Sequence, residues 1–529
     1  MRNPAALAPL RHPAFRLLWT ANLASNTGLF IQNTAAGWMM TGLDPSPMMV
    51  STVQASSMLP VFLLALPAGA LADIMDRRVF LIGAQLWMAL VAALLCVLTW
   101  TGALGPWGLV ALTFGLGAGL AMTFPAWAAT TPELVPREDL ISAIALNGIG
   151  FNLTRAVGPA IGGLVIAWFG IEAAFALNAA CVMVMVVALF LWKRPVVSSR
   201  MPPEHFLSAV RAGARFVAAT PAMHAAILRA VVFFLFGSAV WGLLPLLVRT
   251  TLQLGPQAFG LLLGCMGAGA VAAGFLLPAV RGRLDRSGMV FWSSLLSALA
   301  LVILATLHHW SAAAVGMMLY GVSWISAAST LQASAQMAAP SWVRARAMGI
   351  YQMCFFGAMA AGAAFSGWMA SVAGVEMALG LFAFGGATGA VAVRGWRLEG
   401  DAAAPSAIVE IVRPEPAAAE LRALLNESVN RVLEVVRYEI APADRAGFLA
   451  CMTECRRVRL RGGAATWRLY EDVAHPQRWV ELWAIESWAE HLREDARLTE
   501  EDRVILARAA AFHQDTGGPE ATRYVNVRV

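Results

Sequence analysis

The chain has 529 residues, 59% of them hydrophobic and 13% charged, with a mean hydropathy of +0.65 and a formal net charge of +6. That apolar fraction excludes an ordinary soluble globular protein. The positive balance is no nucleic-acid footprint, because the basic residues fall mostly in short loops between long apolar runs, where they report membrane orientation.

The first 16 residues are basic but lack a small-residue cleavage site behind a short apolar core, and read as no removable signal peptide. Apolar runs of about 20 residues, enough to cross a hydrocarbon core of about 30 Å, then recur about twelve times. They fall near 16–40, 48–72, 79–101, 107–131, 142–168, 172–193, 224–248, 257–279, 288–308, 311–338, 346–371 and 375–393. Alternate connections carry Arg77 and Arg78, Arg137, Lys193 through Arg215, Arg281 with Arg283 and Arg286, and Arg344 with Arg346. The connections at 41–47, 101–106 and 373–375 hold no basic residue, and Arg249 is the main exception. Both termini are therefore expected in the cytoplasm, with the spans in an inner membrane.

In chain order the spans divide into an N-terminal six-helix bundle (12–193), a cytoplasmic connector (194–222) and a C-terminal six-helix bundle (223–394). In the connector, Phe206, Val210, Ala214 and Val217 share one helical face and Arg211 and Arg215 another, so it should lie on the membrane surface. Gly274, Arg281 and Arg283 repeat between spans 8 and 9 the glycine and arginines that Gly69, Arg77 and Arg78 supply between spans 2 and 3, with Pro278 where Asp73 would stand. Two such halves suit a carrier with a site between them. A flexible Ala/Pro/Glu-rich linker (395–428) precedes a cytosolic domain (429–529). Its strands near 432–440, 465–472, 479–486 and 522–529, with helices near 442–459 and 487–512, give the order βαββαβ, which is ferredoxin-like. The expected fold is thus an all-α membrane protein of twelve transmembrane helices plus an α+β tail.

Several polar residues stand out against this background. Gly69, Asp73, Arg77 and Arg78 form a compact hairpin between two spans, where the glycine permits close helix packing and Asp73 caps or pairs at the membrane margin. Asn22, Asn26 and Asn33 share a sector of span 1, and buried amides need partners, so that face points at a cavity or another helix. Gln32 and Gln54 are looser members of this pathway. Span 5 carries Asn147, Asn152, Thr154 and Arg155, followed by Gly158, Pro159, Gly162 and Gly163. A cation inside hydrocarbon costs roughly 2.5–3.5 kcal/mol and marks a pathway; the glycines and proline allow tight packing or a hinge. Phe124, Trp127, Phe234, Trp241, Tyr320, Trp324 and Gln332 together could line a site for a large, partly aromatic solute.

No Asp or Glu lies in the middle of a span, so the coupling ion stays open, and Asp73 reads as a conformational latch rather than a proton carrier. Lys193 is the single lysine and stands outside any glycine-rich loop, which excludes a Walker A site. Cys96, Cys181, Cys265, Cys354, Cys451 and Cys455 show no disulfide or zinc spacing. In the tail, Glu481, Trp483, Trp488 and His491 form no metal or nucleophile–base pattern, so neither cofactor nor catalysis is expected.

Three motifs make the chain resemble the enterobactin-exporter-like branch of the major facilitator superfamily: Phe15 to Trp19 with Ser25, Asn26, Gln32 and Asn33; Leu66, Pro67, Gly69, Asp73, Asp76, Arg77 and Arg78; and Asn152 to Arg155 with Gly158 to Gly163. The tail, through Asp472, Pro476, Glu481, 487–493, Asp502 and Arg503, is similar to the antibiotic-biosynthesis-monooxygenase-like domain of its longer members. The resemblance implies a secondary carrier in the lipid bilayer that exports siderophores or amphipathic drugs, with protons as the implied coupling ion. Span 4 lacks the arginine that many drug–proton antiporters of the superfamily carry there. A membrane-tethered sensor or enzyme working through the tail, an importer of the same fold, and a tail that regulates or self-associates are the alternatives.

Overall fold

The computed structural model describes residues 7–136, 138–193, 206–340, 343–398, 431–488, 491, 498, 500–514 and 518–526. Arg137, residues 194–205 of the connector and residues 399–428 of the linker lie outside the described residues, as do the side chains of Asp73, Phe206, Val210, Pro278 and Arg281. Two compact units emerge. One comprises 1–204, 225–334 and 349–398, and the other 205–224, 335–348 and 399–529.

The first unit is built of α1 (Pro13–Leu43), α2 (Pro47–Ile74), α3 (Arg77–Trp100), α4 (Pro106–Leu134), α5 (Leu140–Phe169), α6 (Ile171–Leu191), and most of α8 (Pro221–Leu246), α9 (Pro256–Arg281), α10 (Arg286–Thr306), α11 (Trp310–Ala338), α12 (Arg344–Ala373) and α13 (Val375–Ala392). Among the described residues eleven helices are long and apolar enough to cross a membrane. The exception, α1, is 31 residues long but carries the amides already noted and, beside them, Thr20, Thr27, Thr34 and Thr41.

Helix starts follow local chemistry. Pro13, Pro47, Pro106 and Pro256 occupy first-turn positions, where the missing N–H costs nothing. Asp76 caps α3 through Oδ1, accepting from the amides of Arg78 (2.9 Å) and Val79 (3.1 Å). Asp285 caps α10 in the same way, accepting from Gly288 N at 2.8 Å. Gly170 (φ +89°) turns α5 into α6 and Gly374 (φ +87°) turns α12 into α13, each in a left-handed conformation that favours glycine. These paired devices recur in the two halves. The acid kept by the second copy is therefore Asp285, which the alignment of Gly69 with Gly274 passed over.

Buried Arg229 on α8 ties the end of α13 to the start of α10. It donates to the carbonyls of Trp396 (2.8 Å), Ser287 (3.0 Å) and Arg394 (3.2 Å).

The second unit contains the connector helix α7 (Phe206–Ala219), α14 (Arg445–Gly462), α15 (Glu500–Ala510) and a four-stranded antiparallel sheet. The strands β1 (Val432–Glu439), β2 (Thr466–Glu471), β3 (Arg478–Ile485) and β4 (Glu520–Val525) run in the order β2-β3-β1-β4. Central β1 pairs Val435 with Leu482 on one side and with Thr522 on the other. Val432, Val436, Tyr438, Phe448, Cys455, Trp479 and Trp483 form its core, an α+β arrangement. On α7 the buried positions are Gly213, Phe216, Val217 and Thr220, while Ala214 is exposed. Of the expected face, Val217 is buried and Ala214 is exposed, while the side chains of Phe206 and Val210 lie outside the described residues. Arg215 Nη1 meets Glu486 Oε1 at 2.8 Å.

Candidate functional site

The polar hairpin is held by its own half of the molecule. Arg77 Nη1 pairs with Glu133 Oε1 of α4 at 2.7 Å. Arg78 reaches the last turn of α6, donating from Nε to Leu189 O (2.9 Å) and from Nη2 to Phe190 O (2.8 Å), where free carbonyls and the helix dipole favour a cation. Asp73 sits in the last turn of α2, its side chain outside the described residues, and Asp76 caps α3. Gly69 does not admit a close neighbour here: a Cβ built on it meets no described atom within 4 Å, and the same holds at Gly274.

Arg155 is the centre of the polar face of α5. Its guanidinium lies over the rings of Trp324 on α11 (4.9 Å) and Trp241 on α8 (5.4 Å), within cation–π range. No carboxylate among the described residues pairs with it. Asn152, Arg155, Trp241, Met266, Gly267 and Trp324 line a small cavity of about 20 Å3, room for one water molecule. The indole Nε1 of Trp324 is buried there without a hydrogen-bond partner. The Tyr320 ring lies 5.7 Å from that of Trp324, tilted by 44°, and its hydroxyl donates to Gly237 O at 2.7 Å.

From this cage a chain of rings crosses between the halves. Trp324 meets Phe234 (5.0 Å), Phe234 meets Phe355 (4.3 Å), and Phe355 meets Phe356 (4.7 Å). Phe356 of the second half then approaches Phe124 of the first (6.3 Å), and Phe151 links Phe124 to Phe30. Phe30, Phe151, Phe355 and Phe356 had no sequence signal beyond aromaticity. Trp127 packs in a separate cluster with Phe15 and Leu146, and Gln332 is exposed elsewhere on α11. Asn22, Asn26, Asn33 and Gln54 are half-buried and are not brought to the cavity. Gln32 is fully buried and accepts from Asn178 Nδ2.

The small residues of α5 form a seam with α9. A Cβ on Gly163 would fall 2.7 Å from Gly260 Cα and 2.8 Å from Pro256 O, so the two backbones touch. Gly158 and Gly162 do the same against Phe30 and Ile31 of α1. Pro159 contributes its carbonyl to the Gly260 contact. The halves therefore close tightly at the end of α5 remote from the arginine hairpin.

In the tail, Glu481 is fully buried and accepts from Tyr438 Oη (3.0 Å), Trp467 Nε1 (2.9 Å) and Arg459 Nε (3.3 Å). Glu434 pairs with His491 Nδ1 (2.6 Å) and Arg523 Nε (3.1 Å). These buried acids are held by neighbours within the domain and help organise its core. No group of His, Cys, Asp or Glu among the described residues is arranged to hold a metal ion.

Comparison with known proteins agrees with this architecture. The family described as transmembrane secretion effector matches residues 4–528. An enterobactin exporter of Salmonella choleraesuis is 29% identical over 324 residues, 60% of this chain and 76% of the relative. Among solved structures, the nucleoside transporter NupG superposes with a TM-score of 0.61 at 12% identity, covering 72% of this chain and 99% of that one. A bacterial homologue of the lysosomal transporter Spinster, in an inward-facing conformation, gives 0.52 at 14% identity, covering 73% and 95%.

Proposed function

The chain belongs to the transmembrane secretion effector family, whose members share the major facilitator fold, and on that premise we propose that it is a secondary exporter of siderophore-like solutes working by alternating access. It is an integral membrane protein; we read it as resident in the inner membrane with twelve spans and both termini in the cytoplasm. The observation that carries the substrate reading is Arg155. A cation stacked on two indoles, without a carboxylate among the described residues, attracts a negatively charged group. The ring chain from Trp324 to Phe30 offers flat apolar surface to an aromatic body. The small cavity then corresponds to a closed chamber that must widen to take the solute.

Asymmetry between the two ends supports the cycle. Gly163 and Gly260 touch at one end, whereas a Cβ on Gly69 or Gly274 at the other would meet no described atom within 4 Å. Glycines so placed make sense if the hairpin end closes in the alternate state, with Asp73, Arg77 and Arg78 clamping it and Gly158, Pro159, Gly162 and Gly163 yielding. The domain boundaries at 193, 222, 394 and 428 follow from this reading. The tail is read as ferredoxin-like, supported by the strand order β2-β3-β1-β4, and as a regulatory or self-associating module. Protons are the proposed counter-ion.

Inside-out vesicles loaded against a panel of siderophores and amphipathic drugs, with and without a pH gradient, test the reading. Uptake of siderophores that collapses with the gradient supports it. Absence of flux for every anionic aromatic solute, or flux that ignores the gradient, overturns the substrate or the coupling respectively.

A further inference from the structure

Arg249 is the basic residue that the charge asymmetry of the loops leaves unexplained. It lies where α8 passes into a π-helical segment, Leu247–Thr251, closed by Leu252 N donating to Leu247 O at 2.9 Å. Such segments re-aim side chains and recur at functional positions. Gln253 follows with φ +54°, a left-handed conformation uncommon outside glycine.

The re-aimed side chain crosses from the second half to the first. Arg249 Nη1 donates to Thr41 Oγ1 of α1 at 2.9 Å, and its guanidinium lies 5.7 Å from the Trp38 ring centre. Trp38 in turn stacks on Phe259 of α9, centroids 5.9 Å apart and planes 24° from parallel. Gly42 leaves room for the guanidinium: a Cβ there would stand 3.1 Å from Nη1. No carboxylate among the described residues neutralises Arg249. An exposed guanidinium held by one hydroxyl and one ring makes a contact weak enough to break in every cycle.

We propose that Arg249, Thr41 and Trp38 form the latch that holds the outer mouth of the carrier shut, one turn from the Gly163–Gly260 seam. The proposal rests on the alternating-access reading and deepens it. In the outward-open state the guanidinium, already exposed here, lets go of Thr41 and Trp38, so substrate release requires no ion pair to be broken.

The test replaces the six cysteines by alanine, introduces Ala160→Cys beside the seam, and follows labelling by a membrane-impermeant maleimide in right-side-out vesicles. Thr41→Val and Arg249→Gln each raise the labelling rate by about tenfold, the order expected for loss of one charge-assisted contact. Thr41→Ser keeps the hydroxyl and the slow rate. The Thr41→Val/Arg249→Gln double variant labels no faster than the quicker single one, because both remove the same interaction. Rates within twofold of the parent in both single variants, or additive effects in the double, overturn the latch. If Arg249→Gln fails to reach the membrane, Thr41→Val decides alone. Labelling needs no substrate, so a wrong substrate assignment shows itself separately, as missing flux with the labelling pattern intact.

Discussion

Arg77 and Glu133 stand 2.7 Å apart and join the start of α3 to the end of α4, within one half of the molecule. With Arg78 capping α6 alongside, the hairpin arginines brace three helices of the same bundle. This gives the loop a static task beside any part in a conformational clamp, and the two tasks separate by mutation.

Arg78→Ala is expected to lower stability by about 1–3 kcal/mol, since two carbonyls at a helix end lose a charged donor. Arg77→Ala should cost less, about 0–1 kcal/mol, because its ion pair is partly solvated. Thermal unfolding in detergent reads both. Asp73→Asn, by contrast, should leave the melting temperature unchanged and slow transport several-fold; wild-type flux in that variant would remove Asp73 from the clamp.

Much of this organisation is legible without coordinates. Helix ends announce themselves through Pro13, Pro47, Asp76 and Asp285, and the tail strands alternate cleanly enough to be read within a few residues. The positions along α5 are equally plain, because a cation and paired glycines in hydrocarbon have few uses. What the sequence withholds is which faces meet. Amides on α1 and aromatics on α4, α8 and α11 look equally eligible, yet among the described residues the rings lying under the Arg155 guanidinium are Trp241 and Trp324. Gly69 and Gly163 look alike on paper, yet a Cβ on Gly163 would meet the Gly260 backbone while one on Gly69 would meet no described atom within 4 Å. Arg249 looked like an anomaly of topology until the π-helical turn placed it on Trp38.

Arg155→Gln should raise the KM for anionic aromatic solutes by tenfold or more, since a charged group in a water-poor chamber loses the cation that lines the cavity. Arg155→Lys should recover part of the effect, because an ammonium keeps the charge but lacks the planar stacking surface. Neutral amphipathic solutes should respond little to either change. Equal losses for charged and neutral solutes would mean that Arg155 supports the fold instead of selecting the cargo.

Gly163→Ala and Gly260→Ala each add a methyl at less than 3 Å from the opposite backbone, which cannot yield as a side chain would. The closed seam is therefore disfavoured in both. Each variant should fold, label faster at an outer-mouth cysteine, and transport at a small fraction of the wild-type rate. Gly264→Ala, facing the Ala160 Cβ at 3.3 Å, should be milder.

The tail gives a pH signature. Burial pushes the Glu434 carboxyl up, but the His491 hydrogen bond and charge, with Arg523 and Arg459, outweigh it and hold the acid below its ordinary range. A depressed carboxylate contributes stability above its unfolded value of about 4.3, and that contribution is lost as pH falls through the folded value. Tyr438 runs the opposite way: burial first, then the charge of Glu481, raises its phenol well above the ordinary value. Below about pH 10 it is neutral in both states; at higher pH the unfolded chain alone releases the proton, so stability falls. Proteolytic protection of the tail in the full-length protein should thus weaken below about pH 4 and above about pH 10. Tyr438→Phe should flatten the alkaline slope while lowering neutral stability, because Glu481 loses a donor inside the core. Glu434→Gln should flatten the acid slope in the same assay, leaving the alkaline limb in place.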